Sequence, residues 1–88
     1  MKSAKQSKIR IRGRWWKIIV GRCNGMGKAE GFCVYDERTI YLKPGTDLPS
    51  TLLHEVAHAA LPDLNEDAIE DLEEAQMNAL KAMNLLIK

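Results

Sequence analysis

Ile9 and Ile11 alternate with Arg10 and Arg12, the period of a strand with one buried face. The aromatic and β-branched run from Trp15 to Val20 reads as a second strand. Gly13-Arg14 between them suits a two-residue hairpin turn, because glycine accepts positive φ at the first central position. Phe32 to Tyr35 and Thr39 to Leu42 form another pair of strand-like runs around the polar Asp36-Glu37-Arg38, so a second hairpin is expected. The stretch joining the pairs, residues 21 to 31, holds Gly21, Gly25, Gly27, Gly31 and Asn24 and reads as a flexible connection. It lacks the Gly-Lys-Ser/Thr ending of a phosphate loop.

The pattern then changes period. Pro44-Gly45 stops the last strand, and residues 46 to 50 supply helix-entry chemistry, with Pro49 tolerated in a first turn. A helix is expected from about Leu48 to Leu61, ended by Pro62. Asp63 to Asn65 starts a second helix running close to the carboxyl terminus, with Ile69, Leu72, Leu80, Met83 and Ile87 as its apolar stripe. The expected class is α+β: a small antiparallel or mixed sheet of three to four strands, packed on one helix and a second antiparallel C-terminal helix. Residues 1–7 read as a loose basic tail and 8–88 as a single domain.

A chain of 88 residues is near the size at which a metal often supplements a thin core. Its two cysteines, Cys23 and Cys33, make neither a disulfide framework nor a paired Cys-x-x-Cys ribbon and are expected to be reduced thiols of a cytoplasmic protein. No signal peptide or bilayer-spanning segment is recognisable. The net charge of +1 conceals an asymmetry: the first 28 residues hold nine cations and no acid, the remainder four cations and twelve acids. The basic residues 2–28 could meet nucleic acid, an acidic partner or the protein's own acidic helix. Of Trp15 and Trp16, one is expected to pack inward and the other to lie on the basic face.

The chemistry is concentrated in five residues. Both histidines of the chain lie in His54-Glu55-Val56-Ala57-His58, on the first expected helix. Residues four apart share a helix face, so both imidazoles can reach one ion while Glu55, one step round, meets a water beside it. A catalytic zinc site takes three protein ligands and leaves a fourth position open. With no other histidine and both cysteines well before the motif, the third ligand must be a carboxylate. Pro62 forces a tight reversal, bringing the opening turns of the second helix back opposite the histidines, with Glu66 and Glu70 as candidates. Glu66 is the preferred ligand, with Glu70 hydrogen-bonding a ligand histidine from behind. If Asp63-x-x-Glu66 acts as a capping box, Glu70 is the better ligand. Asp67, Asp71, Glu73 and Glu74 are expected to face solvent.

His54 to His58 followed by a glutamate on the next helix resembles the gluzincin clan of zinc metallopeptidases. The segments Thr51 to Ala59 and Pro62 to Asp67 are similar to compact phage-encoded metallopeptidases labelled SprT-like or minigluzincin. The resemblance covers about residues 31 to 75. It implies a zincin-like fold, one zinc ion per chain on His54, His58 and Glu66, Glu55 as general base, and hydrolysis of a peptide or protein substrate. The chain is expected to act as a monomer in the cytoplasm, that of a bacterial host if it is phage-encoded. It also implies that a strand at the cleft, by analogy Thr39 to Leu42, binds extended peptide by adding a strand to the sheet. Two features depart from that pattern: the gap from His58 to Glu66 is short, and position 70 is glutamate where the clan has aspartate. The clan also uses a tyrosine or histidine to steady the oxyanion, and here only Tyr35, Tyr41 or Arg38 could serve. The competing expectation is a zinc-stabilised module without catalytic activity, whose basic half binds nucleic acid or an acidic partner.

Overall fold

The computed structural model describes residues 5–21, 25–45 and 47–86. Strands β1 (Lys5–Ile11) and β2 (Arg14–Val20) pair antiparallel, with Ile9 opposite Trp16 and Ile11 opposite Arg14. The turn is Arg12-Gly13, one residue earlier than the sequence pattern suggests, with φ of 52° and 80°. Positive φ at both central residues makes it the hairpin turn whose twist matches the strands, so the glycine serves the second position. Strand β1 also begins inside the expected tail, because Lys5, Gln6 and Ser7 pair with Val20, Ile19 and Ile18.

Strands β3 (Gly31–Val34) and β4 (Thr39–Leu42) form the second hairpin, but the sheet order is β1-β2-β4-β3, with β4 parallel to β2. The strand at the cleft edge is therefore β3, not Thr39–Leu42. Burial explains the exchange. Thr39, Ile40 and Leu42 are almost fully enclosed, which an interior strand requires, whereas every residue of β3 is only half-buried.

Helix α1 (Leu48–Ala60) starts where the Asp47 carboxylate accepts from the Ser50 N–H and ends as the Leu61 N–H closes on the Ala57 carbonyl, just before Pro62. Its sequence writes three stripes four residues apart. Leu48, Leu52, Val56 and Ala60 pack against the core of Ile11, Trp16, Ile40 and Leu42. Thr51 and Glu55 are buried against β3 at Gly31. Ser50, His54 and His58 meet the second helix.

Helix α2 (Glu66–Ala82) is capped by Asn65, whose Oδ1 accepts from the Ala68 N–H at 2.8 Å. Glu66 is thus released from any capping duty and opens the helix beside Asp67, where negative charge is favoured by the helix dipole. Ile69 and Met77 are its buried anchors. Met83, expected in the apolar stripe, is 69% exposed, because the helix closes before it. Asn84 turns at φ 56° while Leu85 N–H reaches the Leu80 carbonyl and Asn84 N–H that of Lys81, a Schellman closure. Ile87 lies outside the described residues.

Candidate metal centre

The antiparallel docking of α1 on α2 brings three polar atoms together. Nε2 of His54 is 2.6 Å from Oε1 of Glu66, Nε2 of His58 is 3.3 Å from the same oxygen, and the two Nε2 atoms are 3.2 Å apart. His54, His58 and Glu66 form a group that could hold a metal ion. Zinc bonds of 2.0–2.1 Å at tetrahedral angles separate neighbouring ligand atoms by about 3.3 Å. Two edges of the triangle match that spacing, and the His54–Glu66 edge is tighter.

The donor set fits a cation on chemical grounds as well. Nδ1 of His54 lies 2.9 Å from Oε1 of Glu73, and a carboxylate oxygen only accepts, so Nδ1 carries the hydrogen. The Nε2 of a neutral His54 therefore presents a lone pair to an oxygen of Glu66 that is itself an acceptor. Electron-rich atoms at these separations repel unless a proton or a metal ion lies among them. Burial alone would lower the His54 pKa. The hydrogen bond to Glu73 and the charges of Glu55, Glu66 and Glu73 outweigh it and raise the value above the ordinary histidine range.

Glu73, expected to face solvent, turns inward instead. It accepts from the Ser50 hydroxyl as well as from His54. Burial would raise its pKa, but these two hydrogen bonds and the adjacent imidazole hold it below the usual carboxylate range. Glu70, expected in that supporting position, is exposed on α2. Helical geometry accounts for the difference. At 100° per residue, position 73 comes within about 20° of position 66 after two turns, whereas position 70 is rotated about 40° the other way. The stacked pair is Glu66 and Glu73, and the facing stripe of Ser50, His54 and His58 receives it.

Glu55 lies one step round α1 from the histidines. It is only 8% exposed, and burial raises its pKa, an effect that His54 and His58 oppose and that Glu66 and Glu73 reinforce. Its buried position depends on a residue with no side chain. A Cβ at Gly31 would stand 2.7 Å from Glu55 Cγ and 2.7 Å from Thr51 Cγ2, so only glycine lets the edge strand approach this closely. Glu30, Gly31, Thr51, His54, Glu55 and Glu73 line an open cleft of about 240 Å³. The sequence carries no local sign of this role for Gly31, because it arises from where the topology sets β3.

Of the three candidates for a further polar group, Tyr35 is nearest. Its hydroxyl donates to the His58 carbonyl at 3.1 Å. Arg38 sits in the β3–β4 turn with its Nε donating to the Trp15 carbonyl at 3.2 Å, and alternation along β4 sets Tyr41 on the sheet face away from Ile40 and Leu42. Cys33, between Gly31 and Tyr35, is a free thiol with a pKa pushed up to about 11, by burial and then by the charge of Glu55, against a hydrogen bond from Tyr35. Cys23 lies outside the described residues. Trp16 is the tryptophan that packs inward, at 6% exposure, and Trp15 stands at 57% with the Arg10 guanidinium 5.4 Å from its ring. Among the described residues no helix is long and apolar enough to cross a membrane. No protein-family model, curated protein or solved structure matches the chain.

Proposed function

We propose that this protein is a zinc-dependent peptidase of the gluzincin kind, with one ion per chain held by His54, His58 and Glu66. The observation that carries the reading is the convergence of these three ligand atoms beside a buried, adjacent carboxylate, Glu55. Bound zinc supplies a Lewis acid that brings the pKa of water towards neutrality and polarises a carbonyl oxygen. The chain's own groups do the rest. Glu73 keeps the Nδ1 proton on His54 and so aims the Nε2 lone pair at the ligand triangle. Glu55 takes a proton from the attacking water and passes it to the leaving amine, a role its place one step round α1 from both histidines allows. The unpaired edge of β3 offers backbone donors and acceptors to an extended peptide lying across the cleft.

The test pairs two measurements on the zinc-loaded protein and its Glu55→Gln variant: metal content by mass spectrometry and cleavage of a mixed peptide library. One zinc in both proteins, with cleavage by the parent alone, is the expected result. One zinc in both and cleavage by neither would leave a zinc-stabilised binding module as the better account.

A further inference from the structure

The far end of β3 carries a second concave site, which the peptidase reading does not use. Arg12, Arg14 and Arg38 line a pocket of about 350 Å³ whose apolar wall includes Trp16, Tyr35 and Ala59. No carboxylate lines it, and among the described residues none of the three arginines forms an ion pair. Arg12 donates one weak bond to the Ala60 carbonyl at 3.4 Å, and Arg38 donates its Nε to Trp15. Most of their N–H groups remain for a ligand. Three guanidiniums around one hollow repel one another, and an anion among them relieves that repulsion; Trp16 and Tyr35, edge to face at 6.1 Å, line the same hollow. Arg12 and Arg38 moreover hold positive φ, of 52° and 48°, at positions where glycine or asparagine would sit with less strain.

The geometry ties this pocket to the cleft. Gly31 covers Glu55, and Tyr35, four residues on, lies at the pocket wall with its hydroxyl on the His58 carbonyl. At roughly 3.3 Å per residue the separation is about 13 Å along the strand. Arg14 and Arg12 belong to β2 and its hairpin turn, two and more strands in from the free edge of β3, and Arg38 to the β3–β4 turn. A peptide extended along β3 with its scissile bond at Glu55 therefore brings a side chain against the arginines where it runs on past Tyr35 and over that turn. We propose that Arg12, Arg14 and Arg38 bind an Asp or Glu side chain in the segment of the substrate that continues past Tyr35, making acidic segments the substrate class. This rests on the peptidase reading. Planar guanidiniums match a carboxylate in a bidentate fork, which lysines would not. Nucleic acid suits the pocket less well. Single strands need aromatic faces beside the cations, yet Trp16 is buried, and Trp15 lies with Arg10, Lys8 and Lys17 on the opposite face of the sheet.

The test uses zinc-loaded Glu55→Gln protein and fluorescent peptides that differ only in carrying Asp or Asn at successive positions, read by anisotropy, with cleavage by the parent protein measured in parallel. The expected result is an Asp advantage of about tenfold in one register, beyond the residues that pair with β3. It falls below about twofold in Arg14→Gln, which keeps its circular dichroism spectrum and its zinc content. Arg38→Gln gives the same loss, with Arg14→Gln as the safeguard should the bond to Trp15 prove necessary for folding. Equal binding of Asp and Asn in every register overturns the proposal, as does an Asp advantage that survives Arg14→Gln. A single-stranded oligonucleotide that binds more tightly than any Asp peptide and depends on the same arginines overturns it too. Cleavage without Asp preference removes the pocket and spares the peptidase; arginine-dependent Asp binding without cleavage removes the peptidase and spares the pocket.

Discussion

The two ends of β3 face opposite electrostatic worlds. At Gly31 the strand looks onto Glu55, Glu73 and the His54–His58–Glu66 triangle, and at Tyr35 it adjoins three arginines without a counter-ion among the described residues. The acidic end is saturated with internal hydrogen bonds, from Ser50 to Glu73 and from His54 to Glu73. The basic end makes few. Glu73 thus fixes the position of His54 in advance, whereas the arginines keep most of their donors for a ligand. The split of charge along the chain is partly a split in space: the hairpin of β1 and β2 carries two of the three arginines, and the two helices carry seven of the twelve acids.

The sharpest way to break the comparison is to remove a ligand. His58→Ala is expected to abolish zinc binding, and chelation of the parent protein to lower the melting temperature by roughly 15–30 °C, the equivalent of about 4 kcal/mol of lost linkage in a domain of this size. Calorimetric scans with and without chelator check both. An unchanged melting temperature would mean that the acidic end is held by protons alone. Next in size, Glu55→Gln should retain the metal and reduce peptide cleavage by about 10²- to 10⁴-fold. Glu73→Gln should weaken zinc by about 10- to 100-fold in a competition titration, while Glu70→Gln leaves it unchanged. That pair of variants decides directly between the two carboxylates.

Much of this architecture can be read along the chain, and the parts that cannot share a cause. Alternation around Ile9 and Ile11, the strand-like run Thr39–Leu42 and the helical period after Pro44 are local signals, so the elements and the α+β class follow from them. The His54, His58 and Glu66 group follows from one helix repeat and one proline reversal. Strand order leaves no such local mark. Nothing in residues 31 to 42 says that β4 slides between β2 and β3, so the edge strand and the contact of Gly31 with Glu55 emerge only from the assembled sheet. Glu73 was hidden for a subtler reason: a four-residue rule points to Glu70, while the crossing of the two helices selects the seven-residue repeat.

Two smaller effects sharpen the same contrast. Gly31→Ala should cost about 1–3 kcal/mol through overpacking on Thr51 and Glu55, with zinc retained and cleavage reduced, as denaturant titration and metal analysis would record. Smallest is the response of Cys33. Between the ordinary thiol value of 9.0 and about 11, the native protein keeps a proton that the unfolded chain has lost. Stability on that account is constant below the window and declines as pH rises through it. Thiol labelling in a Cys23→Ser background should accordingly be slow at neutral pH and accelerate only in strongly alkaline buffer.

His54, His58 and Glu66 lie within thirteen consecutive residues, whereas Lys17 and Thr39, partners in the central parallel pairing, are twenty-two positions apart. Short loops close at lower entropic cost than long ones. The helical hairpin can therefore organise while β2 and β4 are still searching for each other, and a chain stalled halfway to its native state would already own the pair of helices that carries His54, His58 and Glu66.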